Sequence, residues 1–226
     1  MIIEEGADPL NRMPWNNAPG GAEFILVASA YDVWLQPGGY LYEMFAGYLS
    51  ILPEGMWDTF NQATSDGQRL RLTAGASGVI ESLVGRPRGN IAGLYESTTM
   101  RSWFAIERAS TFIHEFAHHV DFTFRRLWPG EDGSDRWLTD DVPFVSLWDT
   151  ASPTIPGWLY GRTDIREWFA ELFAVQLIPT YTGAGAGSAN LFFALSGEDI
   201  DTAKAIRQAF TDRLPMPPFA DGIYDA

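Results

Sequence analysis

The amino-acid sequence predicts an α+β fold in which helices come first, strands follow and helices return. Apolar residues recur at helical spacing over 40–52, and polar and apolar residues alternate over 69–73 as in a half-buried strand. The spacing becomes helical again after residue 109. Of 226 residues, 46% are hydrophobic and 14% aromatic, which is enough for a packed core and argues against wholesale disorder. We therefore expect a single domain over 1–226, built from two lobes.

The predicted N-terminal lobe covers 23–127 and follows an irregular arm over 1–22, which is rich in Pro, Gly and Asn. Its expected elements are helices over 40–52 and 53–63 and strands over 69–73, 91–95 and 102–106. The last two strands would form a hairpin around the polar turn at 97–99. Ser110 would then cap a helix that continues through HEFAHHVDF and ends before Pro129.

The predicted C-terminal lobe covers 128–226 and is mostly helical. Asp164, with Glu167 three residues later, fits a capping box at the start of a helix that ends before Pro179. The expected remainder is a long surface segment over 129–160, a flexible glycine-rich connector over 183–188, a last helix over 198–212 and a Pro-rich tail.

Composition excludes several classes of function. The net charge of −14 argues against a nucleic-acid surface, which needs clustered Lys and Arg. Without cysteine there is no disulfide, no thiolate nucleophile and no Cys-ligated metal. No run of about 18 apolar residues predicts a membrane span. The N-terminus lacks the pattern of a signal peptide, so we expect either a cytoplasmic protein or a secreted one lacking its leader.

The histidines of the chain are confined to one short stretch. Two of them, His114 and His118, form H-E-x-x-H with Glu115. Side chains at i and i+4 of a helix have Cβ atoms about 5–6 Å apart, so both imidazoles can reach one ion. Zinc accepts such nitrogens in a tetrahedral site that leaves one position for water. Glu115 would take a proton from the metal-activated water and pass it to a leaving amine.

The alternative interpretation is a buried helix with two hydrogen-bonded histidines and a surface glutamate. The spacing of the motif favours the metal site. His119 lies about 100° around the helix from His118. We therefore expect His119 to pack against or bind a neighbour rather than hold the same ion.

The third ligand must be a carboxylate, because every histidine belongs to this cluster and cysteine is absent. The segment REWFAELF supplies Glu167 and Glu171 at i and i+4 on one face of a largely apolar helix. One would ligate the metal while the other accepts the free N–H of a ligating histidine. Two solvated glutamates are the alternative. Asp164 is a further candidate ligand but fits the helix cap better.

These motifs resemble a known family. H-E-x-x-H followed by a helix with E-x-x-x-E is similar to the pattern of gluzincin metallopeptidases. The segments FIHEFAHHVD (112–121) and YGRTDIREWFAELF (160–173) resemble the catalytic domain of the anthrax lethal factor family, to which the Pro-Pro endopeptidases of clostridia are related. The strand-turn-strand GLYESTTMRSWFAIE resembles its edge strand less specifically. The resemblance implies a zincin-like fold with a small mixed sheet and an edge strand over the active-site helix.

The resemblance also implies an activity, namely a zinc endopeptidase with one catalytic Zn²⁺. Its residue roles are ligands at His114, His118 and Glu167, a general base at Glu115, an oxyanion donor at Tyr160, a carboxylate bonded to a ligating histidine at Glu171, and a carboxylate orienting the active helix at Asp121. The sequence departs from the family at Ala117 and His119, which replace the usual Gly-His-Ala arrangement around the second histidine.

The expected partner is a peptide or protein substrate, acted on by a monomer. The alternative function is a catalytically silent zinc-binding module for a protein partner, with a closed four-ligand site completed by His119 or Asp164. A serine hydrolase is disfavoured, because the chain has no G-x-S-x-G. Trp103 and Trp168 flank the site segments and would line substrate pockets or pack in the core.

Overall fold

The fold combines α-helices with β-strands, as predicted. It was obtained as a computed structural model, which describes residues 12–14, 23–26, 47–53, 55–56, 71–74, 92–98, 101–104, 108–124, 137–178, 188–219 and 224. The chain divides into two compact units. Unit 1 comprises Met1–Ile51 and Thr64–His119, and unit 2 comprises Leu52–Ala63 and Val120–Ala226.

Unit 1 contains a five-stranded mixed sheet. Its strands are β1 (Arg12–Pro14), β2 (Glu23–Leu26), β3 (Arg71–Ala74), β4 (Gly93–Glu96) and β5 (Arg101–Phe104). They lie in the order β1-β2-β3-β5-β4, so β4 is at one end of the described sheet. Strand β3 pairs in parallel with β2 and β5, whereas β1 and β4 pair antiparallel with their neighbours.

The predicted hairpin is confirmed, with β4 and β5 antiparallel and Leu94 opposite Trp103. The prediction of an irregular arm over 1–22 is wrong at Arg12–Pro14, which form β1. These residues pair with β2, a tertiary interaction that composition cannot reveal. Pro14 is tolerated there because a strand at the end of a sheet does not need every N–H in the ladder.

The central helix of the predicted site, α1, spans Ala109–Phe124. The prediction that Ser110 caps it is wrong. The carbonyl of Arg108 already accepts a hydrogen bond from the Phe112 N–H at 3.0 Å, so Ser110 lies within the first turn. The predicted end of the helix, residues 125–127, lies outside the described residues.

Aromatic packing fixes the first half of α1 in unit 1. Phe112 is 1% exposed and stacks on Phe104 of β5, with ring centroids 5.2 Å apart. Tyr48 meets the same ring at 5.4 Å. The sequence predicts two helices ahead of its first predicted strand, over 40–52 and 53–63. Residues 47–49 of the first and 55–56 of the second are helical. The remaining positions of both lie mostly outside the described residues.

The described helices of unit 2, beyond α1, are α2 (Val142–Ala151), α3 (Ile165–Leu177), α4 (Ser188–Leu195) and α5 (Ile200–Thr211). Short 3-10 turns lie at Leu138–Asp140 and Tyr160–Arg162. Three phenylalanines from α2, α3 and α5 form a core contact: Phe169 lies 5.3 Å from Phe144 and 4.8 Å from Phe210, centroid to centroid. All three side chains are fully buried.

The surface segment predicted over 129–160 is wrong where helix α2 forms. Its buried face is narrow, with Phe144 and Ala151 buried, while Val142 is 76% and Val145 37% exposed. Because these two valines are exposed, the apolar residues of this segment do not follow the regular helical spacing from which a helix is predicted. Pro143, which looks like a helix breaker, stands in the first turn, where its missing N–H has no intrahelical role.

Two predicted helix starts are present. Asp164 caps α3, because its Oδ1 accepts from the N–H groups of Arg166 (2.9 Å) and Glu167 (3.1 Å). In α5 the cap is Asp199, which accepts from Thr202 N at 2.7 Å. That hydrogen bond lowers the pKa of Asp199 below its usual value.

The turn between α4 and α5 requires a glycine. Gly197 has φ +74°, in the left-handed region that L side chains rarely adopt. A Cβ there would also collide with Thr154 Oγ1 and lie 3.1 Å from the Ala151 carbonyl oxygen. Neither the backbone nor the surroundings of position 197 accept a side chain.

Candidate metal centre

Helix α1 brings its two predicted ligand histidines together. His114 and His118 are one turn apart, their ring centroids are 5.0 Å apart and the rings meet edge to face at 84°. Both are largely buried, at 8% and 9% exposure. The helical repeat thus places two imidazoles side by side in a partly desolvated position.

Helix α3 supplies the carboxylate. The cap at Asp164 sets the first turn, and Glu167 lies in that turn. This carboxylate joins the two histidines: taking one ligand atom from each of His114, His118 and Glu167, all three atoms lie within 4.8 Å of one another. The three side chains therefore form a group that could hold a metal ion. Of the two glutamates considered as third ligand, the described structure joins Glu167 to the histidines.

The donor set fits zinc. Two imidazole nitrogens and one carboxylate oxygen are zinc ligands of the kind found in catalytic sites, where a fourth position stays open. A tetrahedral ion with bonds of about 2.1 Å holds its ligand atoms roughly 3.4 Å apart. The three candidate ligand atoms, all within 4.8 Å of one another, are close enough to share one ion.

Glu115 lies between the two histidines in sequence and is buried, at 6% exposure. Its side chain lies against the start of β4, where a Cβ on Gly93 would be 2.6 Å from Glu115 Oε1. A carboxylate held in this way has few alternative positions. This arrangement suits a group that must transfer a proton at a fixed point.

Tyr160 lies beside the candidate ligand Glu167. It begins the 3-10 turn Tyr160–Arg162, and its side chain is 57% exposed. Its hydroxyl donates to Glu167 Oε1 at 3.2 Å. Thr163 fixes the turn by donating from Oγ1 to the Tyr160 carbonyl oxygen at 2.7 Å. The Tyr160 hydroxyl thus lies on the carboxylate of the candidate ligand Glu167, and its ring is exposed to solvent.

Glu171 follows Glu167 by one helical turn and is 9% exposed. The alternative interpretation, in which both glutamates are solvated, is therefore wrong for Glu171. Gly161 lies beside it: a Cβ at that position would be in ordinary contact with the Cβ and Cγ of Glu171, at 3.4 Å, and too close to Leu195 Cδ2, at 2.8 Å. Glu171 is thus a buried carboxylate one helical turn from the candidate ligand Glu167.

Asp121 is fully buried on α1 and binds the 3-10 turn Leu138–Asp140. It accepts from the N–H of Thr139 at 2.9 Å and from Thr139 Oγ1 at 3.0 Å. Both of its oxygens therefore hold the helix to this turn. Such a role agrees with a carboxylate that orients α1.

His119 is fully buried and faces strand β4. Its Nδ1 lies 2.9 Å from the hydroxyl of Tyr95, and its ring meets the Tyr95 ring edge to face at 5.4 Å. Phe116 contacts the same imidazole at 6.0 Å. His119 thus binds a neighbour, as expected from its angle around the helix.

Neither tryptophan considered for a substrate pocket is accessible. Trp103 is 3% exposed and Trp168 is fully buried. The Trp168 indole N–H donates to the Leu195 carbonyl oxygen at 2.8 Å. Both side chains are core residues.

Three residues around the site were missed by sequence reasoning: Gly93, Tyr95 and Thr139. Each contacts a residue of α1 from a distant part of the chain, and contacts of this kind leave no local periodicity. The one available signal was Gly93 itself, since a glycine inside a strand often marks a close approach.

Among the described helices, none has the length and apolar character needed to cross a membrane. No protein-family model matches the chain, and neither does any curated protein.

Proposed function

We propose that this chain is a zinc-dependent endopeptidase with a zincin-like fold. The observation that carries the proposal is the group of His114, His118 and Glu167, whose ligand atoms lie within 4.8 Å of one another. Three protein ligands, with one position left for water, are typical of catalytic rather than structural zinc sites. A helix against a mixed sheet, with β4 at its end, supports the fold.

Each proposed catalytic residue would carry out one part of the hydrolysis. Bound zinc supplies Lewis-acid activation of a water and of the scissile carbonyl. Glu115 takes a proton as the water oxygen forms its bond to the carbonyl carbon, and it delivers that proton to the nitrogen as the C–N bond breaks. The burial of Glu115 at 6% exposure and its packing against Gly93 support this role, because they restrict the positions that its carboxylate can take.

Tyr160 would stabilise the oxyanion that forms on the carbonyl oxygen. Support comes from its exposure of 57% and from its hydroxyl, which is 3.2 Å from the ligand carboxylate of Glu167. A small rotation would transfer that hydrogen bond from Glu167 to the substrate. Donors directed at developing charge are among the largest contributions to catalysis.

The experiment that tests the function is cleavage of a diverse peptide mixture, read by mass spectrometry. Zinc-loaded protein should cleave internal bonds, chelated protein should not, and added zinc should restore the same cleavage sites. The side chains around the cut would define the substrate class. Folded, zinc-loaded protein that leaves peptides and unfolded proteins intact would contradict the proposal and favour the silent zinc-binding module.

Tyr160→Phe separates catalysis from metal binding. We expect kcat to fall about 100-fold, the cost of losing one oxyanion donor, with zinc affinity nearly unchanged. Steady-state kinetics and a zinc titration measure the two effects. A weaker zinc affinity with an unchanged kcat of the loaded enzyme would instead mean that Tyr160 only orients Glu167.

A further inference from the structure

We propose that Gly93 is a positioning residue for Glu115. The missing side chain at position 93 leaves the space in which the Glu115 carboxylate lies. This inference rests on the proposed function, in which Glu115 is the general base, and it concerns residues of unit 1 alone.

The evidence is the space around position 93. A Cβ there would lie 2.6 Å from Glu115 Oε1, 2.7 Å from Glu115 Cγ and 2.8 Å from Thr111 Cγ2. Favourable contacts between such atoms begin at about 3.5 Å. Any other residue at this position would therefore displace the Glu115 side chain, and the Thr111 methyl group as well.

The backbone does not explain the glycine. Within the described residues the glycine with a left-handed φ is Gly197, not Gly93. Position 93 begins strand β4, where glycine loses more entropy on folding than a residue with a side chain and packs nothing. The requirement for glycine therefore comes from the neighbouring side chains.

A second contact prevents the strand from simply moving away. Gly93 and Tyr95 lie on one face of β4, and Glu115 and His119 lie one turn apart on one face of α1. The Tyr95 hydroxyl lies 2.9 Å from His119 Nδ1 in a partly buried pair. Because this pair holds β4 against α1, a methyl group at position 93 is accommodated by rotation of Glu115.

The first test is the kinetics of zinc-loaded Gly93→Ala. We expect kcat to fall about 100-fold, since displacement of a catalytic group by about 1 Å has that effect. KM and zinc affinity should stay within about twofold of wild type, because the three atoms nearest to an added Cβ belong to Glu115 and Thr111, and neither of these is a candidate ligand. Gly47→Ala is the matched control, as a Cβ at Gly47 meets nothing within 4 Å.

The second test needs no activity. Gly93→Ala should lower Tm by about 2–4 °C when Glu115 is present and by less than half as much in the Glu115→Ala background. The contact with Thr111 is present in both backgrounds, so it cancels in the difference between the two changes in Tm. Adding Thr111→Ser to Gly93→Ala removes the methyl contact and should raise Tm without restoring kcat.

The outcomes separate this inference from the proposed function. If wild type cleaves and Gly93→Ala keeps its kcat, the inference is overturned and the function stands. If wild type does not cleave, the function fails, and the Tm cycle decides the inference: a non-additive cycle supports the positioning of Glu115, whereas an additive one overturns it.

Discussion

Glu115→Gln is expected to lower kcat by about 1,000-fold or more while the fold and the zinc affinity persist. Glutamine has the same shape as glutamate, so it fits the space beside Gly93 in which Glu115 Oε1 would lie 2.6 Å from an added Cβ. What it lacks is the ability to accept a proton from water. The loss should therefore appear in kcat and not in Tm or in the zinc titration.

The matched control for this substitution is Glu198→Gln, which removes one carboxylate from an exposed turn. It should leave kcat within about twofold, as expected for a surface change. Zinc-loaded Glu115→Gln that retained wild-type turnover would eliminate Glu115 as the base. A joint loss of turnover and zinc would instead make Glu115 part of the metal site.

The second large effect is expected from removal of a proposed metal ligand. His118→Ala should weaken zinc binding by more than about 100-fold, since loss of even an outer partner costs about 10–100-fold. The substitution deletes one of three ligand atoms that lie within 4.8 Å of one another. Competition with a chromophoric chelator measures the affinity, and peptidase activity should disappear at low free zinc.

The chain supplies matched controls for both kinds of ligand. His119→Gln removes an imidazole that binds Tyr95, so it should lower Tm but spare zinc affinity. Glu167→Gln should weaken zinc binding far more than Glu171→Gln, because the carboxylate of Glu167 is the one grouped with the histidines. Equal losses from the two glutamine variants would contradict Glu167 as the third ligand.

The elements that carry the predicted site followed from local patterns in the sequence. Helix α1 was predicted because HEFAHHVDF keeps helical spacing, and α3 because Asp164 followed by Glu167 three residues later fits a capping box. In the structure Asp164 does accept from the N–H groups of the first turn of α3. The strands of the hairpin followed from alternation and a polar turn. In each case one short segment contains the whole signal.

The parts that escaped prediction depend on distant partners. Strand β1 exists through pairing with β2, and helix α4 has an almost wholly apolar sequence without helical spacing. The sequence left Glu167 and Glu171 open as third ligand, because both lie on one helix face. Only the fold distinguishes them, by grouping Glu167 with residues some fifty positions earlier.

The two glycines described above should differ in how evolution treats them. Gly197 is required by its left-handed backbone, so relatives of every kind should retain it, including those that have lost catalysis. Gly93 is required by the side chain of Glu115 and its neighbour Thr111. In lineages that lose Glu115, the proposed general base, position 93 should therefore change together with position 115, and that joint change would mark a relative without catalysis.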